Sequence, residues 1–400
     1  MRRSVVITGV GAVTPLGVGA DALIDRWAAG ESGIEDGLGR CTQFEPARTL
    51  SRKQMHRSDR FTQLALVAAA EALACAGWDD ELPYPPERVG CIVGSGVGGV
   101  ETFTSQQATL DARGVDACSP LGIPMMMPNA ASGAVAMRHG ITGPNWCVAS
   151  ACAAGAHAIG TAARLVQSGE VDAIVTGGAE AGIAPMVVAA FARMRATSRT
   201  GVSRPFDARR DGFVLGEGAG VLVLEEAESA RARGAEPLGE LLGYAATADA
   251  YHLTAPDPTG SGPARAIELA LEEAGVGAQD VDYVNAHGTA TPLNDRVETE
   301  AIKRVFGDAA ARLQVSSLKS AIGHLLGASG AVEAVATVLA LRRRLAPPTV
   351  NWADAEEGLD LDYVPVRAQP LRAEARARRA VGISNSFGFG GHNAVLCIAA

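Results

Sequence analysis

Short β-rich runs alternate with Ala-rich helical stretches along the whole chain, and this alternation most constrains the fold. Strands are expected at 4–8, 88–93, 171–176, 219–225, 238–245, 281–286, 313–316, 379–384 and 394–399. Helices are expected near 61–77, 130–139, 152–168, 262–275, 295–305 and 329–343. Such alternation implies an α/β protein with a largely parallel sheet. Strands such as Val171–Thr176 lack clean alternation of polarity, as expected when both faces of a sheet are covered. The charged segment 226–237 separates two parts of similar rhythm, which predicts two pseudo-equivalent halves, 1–237 and 238–400.

Composition excludes several function classes. Of 400 residues, 48% are apolar and 20% charged, enough for a large core and too little charge for disorder. The net charge of −9 argues against a general nucleic-acid binder, which needs a basic surface. Seven cysteines without CxxC pairing point to a reduced, cytoplasmic setting rather than a disulfide framework. The long uncharged stretches 117–137 and 139–163 are interrupted by Pro or Gly-Pro, so they read as buried helices and not as membrane spans.

Several local settings carry chemistry. Cys152, in Val148-Ala149-Ser150-Ala151-Cys152-Ala153-Ala154-Gly155, opens an expected helix. Backbone N–H groups and the positive dipole end there lower a thiol's pKa, which otherwise leaves roughly 3% thiolate at neutral pH. The same run also reads as a small buried residue. His287 follows one apolar strand in a Gly/Thr/Pro turn, and Lys319 and His324 follow another before a Gly-rich helix start. Strand-end loops are where open α/β sheets hold ligands. Metal-type spacing such as HExxH is absent, so no metal is expected. Near the C-terminus, Gly382–Asn393 alternates Gly with Phe387 and Phe389, a turn whose backbone N–H groups approach a ligand closely and whose aromatics can swing. Gly94-Ser95-Gly96-Val97-Gly98-Gly99 matches GxGxxG after a strand, but no second strand with an acidic residue follows to complete a dinucleotide site. Arg52, Lys53, His56, Arg57 and Arg60 fall at helical spacings and form a basic stripe, either a solvated face or a means of steering an acidic partner.

Together these features resemble the β-ketoacyl-(acyl-carrier-protein) synthases of the thiolase superfamily, nearest to the elongating type II enzymes. The likeness runs from Val5-Ile7-Thr8-Gly9 through Ser203-Arg204-Pro205-Phe206-Asp207, Arg210–Gly218 and Asp249-Ala250-Tyr251-His252 to the closing Gly388–Asn393. It implies a thiolase-like fold in five α-β-α-β-α layers. It also implies a Cys-His-His site with Cys152 as nucleophile, His287 and His324 beside it, and Lys319 and Glu333 balancing charge. The N–H groups of Cys152 and Phe389 would form the oxyanion hole, with Phe389 gating acyl entry. Thr289, Thr291 and Phe387 would bind substrate, and Arg52, Lys53, Arg57, Arg60 and Arg199 would dock the acidic acyl carrier protein.

The implied reaction is decarboxylative condensation of malonyl carrier protein with an acyl-Cys152 thioester, in fatty-acid or type II polyketide elongation. It needs no cofactor beyond the carrier's phosphopantetheine. The implied partners are the carrier and a second copy of the chain, or a chain-length-factor-like paralogue in which this chain is the active half. A thiolase, a non-catalytic chain-length partner subunit (against which Cys152 argues) and a dinucleotide-dependent oxidoreductase are the alternatives. Ala151, Ala154, Asn294, His392 and a shortened 195–204 loop depart from the commoner pattern and bear on acyl or partner choice.

Overall fold

The computed structural model describes residues 3–78, 81–372 and 379–400. Ten strands carry the architecture. They are β1 (Val5–Thr14), β2 (Val89–Gly94), β3 (Asn145–Val148), β4 (Ala173–Glu180), β5 (Gly218–Glu226), β6 (Gly239–Ala248), β7 (Tyr283–Asn285), β8 (Gln314–Ser316), β9 (Val381–Gly388) and β10 (His392–Ala399). The first five lie in the order β3-β2-β4-β5-β1 and the last five in the order β8-β7-β9-β10-β6. In each set the third, second and fourth strands along the chain run parallel, and the fifth and first follow antiparallel. Order and direction are therefore the same twice over. The sets join where Val6 and Ile7 of β1 pair with Glu240 and Gly239 of β6.

Six helices matter for the site: α1 (Arg60–Cys75), α2 (Ala154–Ser168), α3 (Pro185–Arg193), α4 (Ser261–Ala274), α5 (Pro292–Phe306) and α6 (Ser329–Arg342). The helices α2 and α6 pack on each other and on strands of both sets, while α1 covers the outer side of the first set and α4 that of the second. The result is five layers, α-β-α-β-α. Sequence explains the middle layer: α6 is apolar around its circumference and buried from Ser329 to Leu341, as a helix between two sheets must be. Close approach depends on Gly155 of α2, where a Cβ would lie 2.8 Å from the Ala331 nitrogen of α6. All ten residues of β1 are buried, matching a strand covered on both faces.

Three expectations need correction. The sheet is mixed rather than largely parallel, because its longest pairings, β4 with β5, β5 with β1, β9 with β10 and β10 with β6, are antiparallel. Strand β3 lies inside the stretch 139–163 that reads as helix; at four residues it is the edge of the first set, partly exposed. The stretch 117–137 is not uniformly buried, since Ile123 is 63% and Met137 82% exposed. The helix at 130–139 packs against α1, β2 and β3, and within it Met137 is exposed. Among the described residues no helix is long and apolar enough to cross a membrane.

Candidate active site

After β3 the chain turns through Ala151, which adopts a left-handed φ of 50°, and delivers Cys152 two residues before α2 begins at Ala154. Cys152 thus sits in the turn rather than at the first helical position that its sequence suggests. Its side chain is buried, and burial is the dominant influence on the thiol, pushing it up to about 11. The Phe389 N–H, the Lys319 charge and the Cys152 N–H pull it the other way, while Glu180 adds to the rise. The expectation of a thiol depressed by the helix end is therefore corrected: removal from water outweighs the donors aimed at the sulfur.

The chain leaving β8 makes one helical turn, Lys319–Ile322, and reverses at Gly323 with φ 75° to bury His324. Nε2 of His324 lies 3.1 Å from Cys152 Sγ. Its Nδ1 accepts the Leu326 N–H at 3.3 Å and lies 2.9 Å from Ser329 Oγ. With Nδ1 accepting, the ring proton belongs on Nε2. His287, just past β7, stands with its ring centroid 5.6 Å from that of His324, at 84°. Lys319 Nζ reaches Nδ1 of His287 at 3.3 Å, reaches its carbonyl at 2.7 Å, and pairs with Glu333. This leaves Nε2–H as the free donor of His287 too. Burial first, then the Lys319 charge, hold both imidazoles well below their ordinary pKa, so both are neutral. The Glu298 carboxylate accepts the N–H groups of His287 and Gly288, each at 2.8 Å, and fixes the loop.

Cys152, His287, His324, Thr289, Thr291, Phe387 and Phe389 all line one cavity of about 290 Å³. The Thr289 and Thr291 hydroxyls lie 2.9 Å apart on its wall. Phe387 packs 5.9 Å from the His287 ring, and Phe389 lies 6.5 Å from Phe191 of α3. Glu333, fully buried, stands behind Lys319.

The basic residues are not gathered in the same way. The helix carrying Arg52 and Lys53 ends at His56, and Arg60 opens a separate helix, α1, so the expected single stripe is broken. Arg60 is also occupied, gripping the buried Glu217 through two hydrogen bonds of 2.7 Å. Arg52, Lys53, Arg57 and Arg199 are exposed, and none of the five lines the cavity.

The Gly-rich loop after β2 does cradle an anion, but one of the protein's own. Gly96 and Val97 N–H, the Ser95 hydroxyl and the Gly327 N–H converge on the Glu180 carboxylate at 2.6, 3.2, 2.9 and 2.9 Å. The dinucleotide reading fails because the cradle is filled. Sequence reasoning passed over Glu298 and Ser329, and named Phe213 without a role although its ring meets that of His324 edge-on at 5.2 Å. Phe213 carried a signal in its Arg210–Gly218 run. Ser329 had none, because only the turn at Gly323 brings it to the imidazole. Asn294 lines the cavity; the exposed His392 instead faces His157 at 6.4 Å.

Residues 2–230 match the β-ketoacyl synthase N-terminal domain and residues 238–353 its C-terminal domain. Over 417 aligned positions the chain is 46% identical to 3-oxoacyl-(acyl-carrier-protein) synthase 2 of Synechocystis sp., covering 99% of this chain and 97% of the relative. Two solved structures superpose with TM-scores of 0.90 over the full length of both chains. One, 35% identical, is the ishigamide ketosynthase/chain length factor. The other, 29% identical, is AntDE:AntF, a type II polyketide synthase acyl-carrier protein in complex with its ketosynthase bound to the hexaketide.

Proposed function

Because this chain belongs to the β-ketoacyl synthase family, we propose that it lengthens acyl chains by decarboxylative condensation on a cytoplasmic acyl carrier protein. Residues 1–237 would supply the nucleophile and residues 238–400 the imidazoles and the lysine. One observation carries the reading: the Cys152 sulfur and the two imidazoles of His287 and His324 line one cavity.

The thiol of Cys152 attacks the thioester carbonyl of an acyl carrier; the new C–S bond forms, and the carrier thiol leaves with the proton. Cys152 and Phe389 N–H groups, both aimed at the sulfur, hold the oxyanion of the tetrahedral intermediate. Malonyl carrier then occupies the cavity, its pantetheine arm along Thr289 and Thr291, with Phe387 alongside. As CO₂ departs, the electron pair of the broken C–C bond moves onto the thioester oxygen as an enolate. The two Nε2–H groups accept that charge by hydrogen bonding, and the Lys319–Glu333 pair keeps His287 in its donor form. The enolate carbon attacks the acyl-Cys152 carbonyl, Cys152 leaves as thiolate, and one proton taken up restores it. No cofactor beyond phosphopantetheine enters these steps.

Of the five cations expected to dock an acidic carrier, Arg52, Lys53, Arg57 and Arg199 are exposed and free to meet it. The chain pairs with a second copy of itself. Likeness to a ketosynthase/chain-length-factor assembly favours a second reading, in which it is the active half of a heterodimer. Incubation with an acylated carrier and malonyl carrier tests the proposal by intact mass: the product is a 3-oxoacyl carrier two carbons longer than the primer. Its absence with every primer tried would reject the assignment.

A further inference from the structure

We infer that Ser329 is a positioning residue that, with the Leu326 N–H, locks His324 in the tautomer presenting Nε2–H to Cys152 and the cavity. The inference rests on the condensing reaction proposed above. Ser329 opens α6 with 2% of its surface exposed, and Nδ1 of His324 lies 2.9 Å from its Oγ. The Leu325 N–H donates to that same oxygen at 3.0 Å. With the oxygen already accepting, the hydroxyl hydrogen is free to point at Nδ1. The Leu326 N–H, at 3.3 Å, is the longer and weaker of the two donors on that nitrogen.

Two further features keep this geometry in place against the cost of Leu326, whose left-handed φ of 48° is unfavourable for a leucine. The next residue, Gly327, is pinned through its N–H to Glu180 at 2.9 Å, so the turn is held from the other strand set. Phe213 and His287 meet the imidazole edge-on, at 81° and 84°, and block its rotation. A proton moved to Nδ1 would face two donors and turn a lone pair toward the sulfur and the forming enolate. Donation from Ser329 also draws density from the ring, which makes Nε2–H a stronger donor to a developing negative charge.

Ser329→Ala removes the hydroxyl without adding bulk, and three measurements then decide the matter. Malonyl-carrier decarboxylation should slow roughly 3- to 10-fold, the worth of one neutral hydrogen bond. Acylation of Cys152, which relies on backbone donors, should change less than about twofold. In protein carrying ¹⁵N-histidine, assigned by subtraction with His324→Gln, the wild-type His324 ring should show one bare and one protonated nitrogen. In Ser329→Ala the two signals should draw together as the other tautomer is populated. Unchanged ring signals overturn the inference, and so does an equal slowing of both steps. If the wild-type protein fails to decarboxylate any malonyl carrier, the reaction assignment falls, while the ring signals still decide the role of Ser329.

Discussion

Lys319 sets its ammonium nitrogen 2.7 Å from the carbonyl oxygen of His287 and 3.3 Å from Nδ1 of the same residue. One cation thereby fixes both where the ring sits and which of its nitrogens carries the proton. It also neutralises Glu333, a carboxylate that burial pushes toward its protonated form.

Lys319→Met should therefore fail in two separable ways. It strands a buried carboxylate, a loss of about 3–5 kcal/mol in unfolding free energy. It also frees the His287 ring, so malonyl decarboxylation should drop by about 10²–10³. Adding Glu333→Gln should recover most of the denaturation midpoint but not the decarboxylation. Recovery of both in the double variant would show that the lysine acts through stability alone.

Cys152 should alkylate slowly at neutral pH. With its thiol near 11, thiolate content below that value grows about tenfold per pH unit, so iodoacetamide labelling at this position should keep rising to about pH 11. Peptide mass mapping reads the site. A rate that levels off near pH 8 would mean a thiol with a far lower pKa. Cys152→Ala should take up no acyl group from carrier thioesters.

His324→Ala separates the two half-reactions. Acyl transfer to Cys152 should survive within about tenfold, because the oxyanion donors are backbone groups. Decarboxylation should fall by about 10²–10³, as expected on removing a preorganised donor. Rapid-quench measurement of acyl-enzyme and released CO₂ distinguishes the steps, and equal losses would contradict the division of roles.

Charge reversal at the exposed Arg57 should raise the apparent KM for carrier substrates several-fold at low salt, with the effect shrinking as ionic strength rises. A KM for acyl-carrier substrates indifferent to both would leave Arg57 as ordinary solvated surface.

Gly155→Ala pits helix propensity against contact. Gly155 lies in the first turn of α2, where alanine gains less than the ~1 kcal/mol of a helix interior, and its Cβ would come within 2.9 Å of the Ala331 Cβ and 2.8 Å of its nitrogen. Overpacking of this kind costs about 1–3 kcal/mol, so net destabilisation is expected. A raised midpoint in chemical denaturation would show that α2 and α6 part more easily than their packing implies.

Much of the architecture could be read before any coordinates, for identifiable reasons. Strands such as β4 and β5 carry short apolar runs, Ala173–Val175 and Val221–Leu224, without period-two alternation, and helices such as α4 carry an apolar stripe. His287, His324 and Cys152 stood out because they follow strands in small-residue turns. What local sequence cannot hold is depth and distance. Four residues are too few for β3 to show a period. The thiol of Cys152 is governed by enclosure, to which distant chain segments contribute. Lys319 and Glu333 stand 14 positions apart with nothing in between to announce their ion pair, so only family resemblance suggested it. Arg60 looked like a surface cation because its partner, Glu217, lies 157 positions away.

The twofold strand plan puts corresponding loops under unequal demands. The segment after β2 and the segment after β7 occupy like places in their sets; the first is plugged by Glu180, and the second aims the His287 ring. A side chain added at Gly96 crowds the Glu180 carboxylate 2.8 Å from its Cβ, so the damage falls first on packing and reaches His324 only indirectly, through the Gly327 N–H that the carboxylate holds. One added at Gly288, whose Cβ would sit 2.6 Å from that of Ser317, tilts a ring that must meet an electron pair in flight. Identical substitutions at the two mouths should thus read out differently, as lost robustness at one and lost turnover at the other.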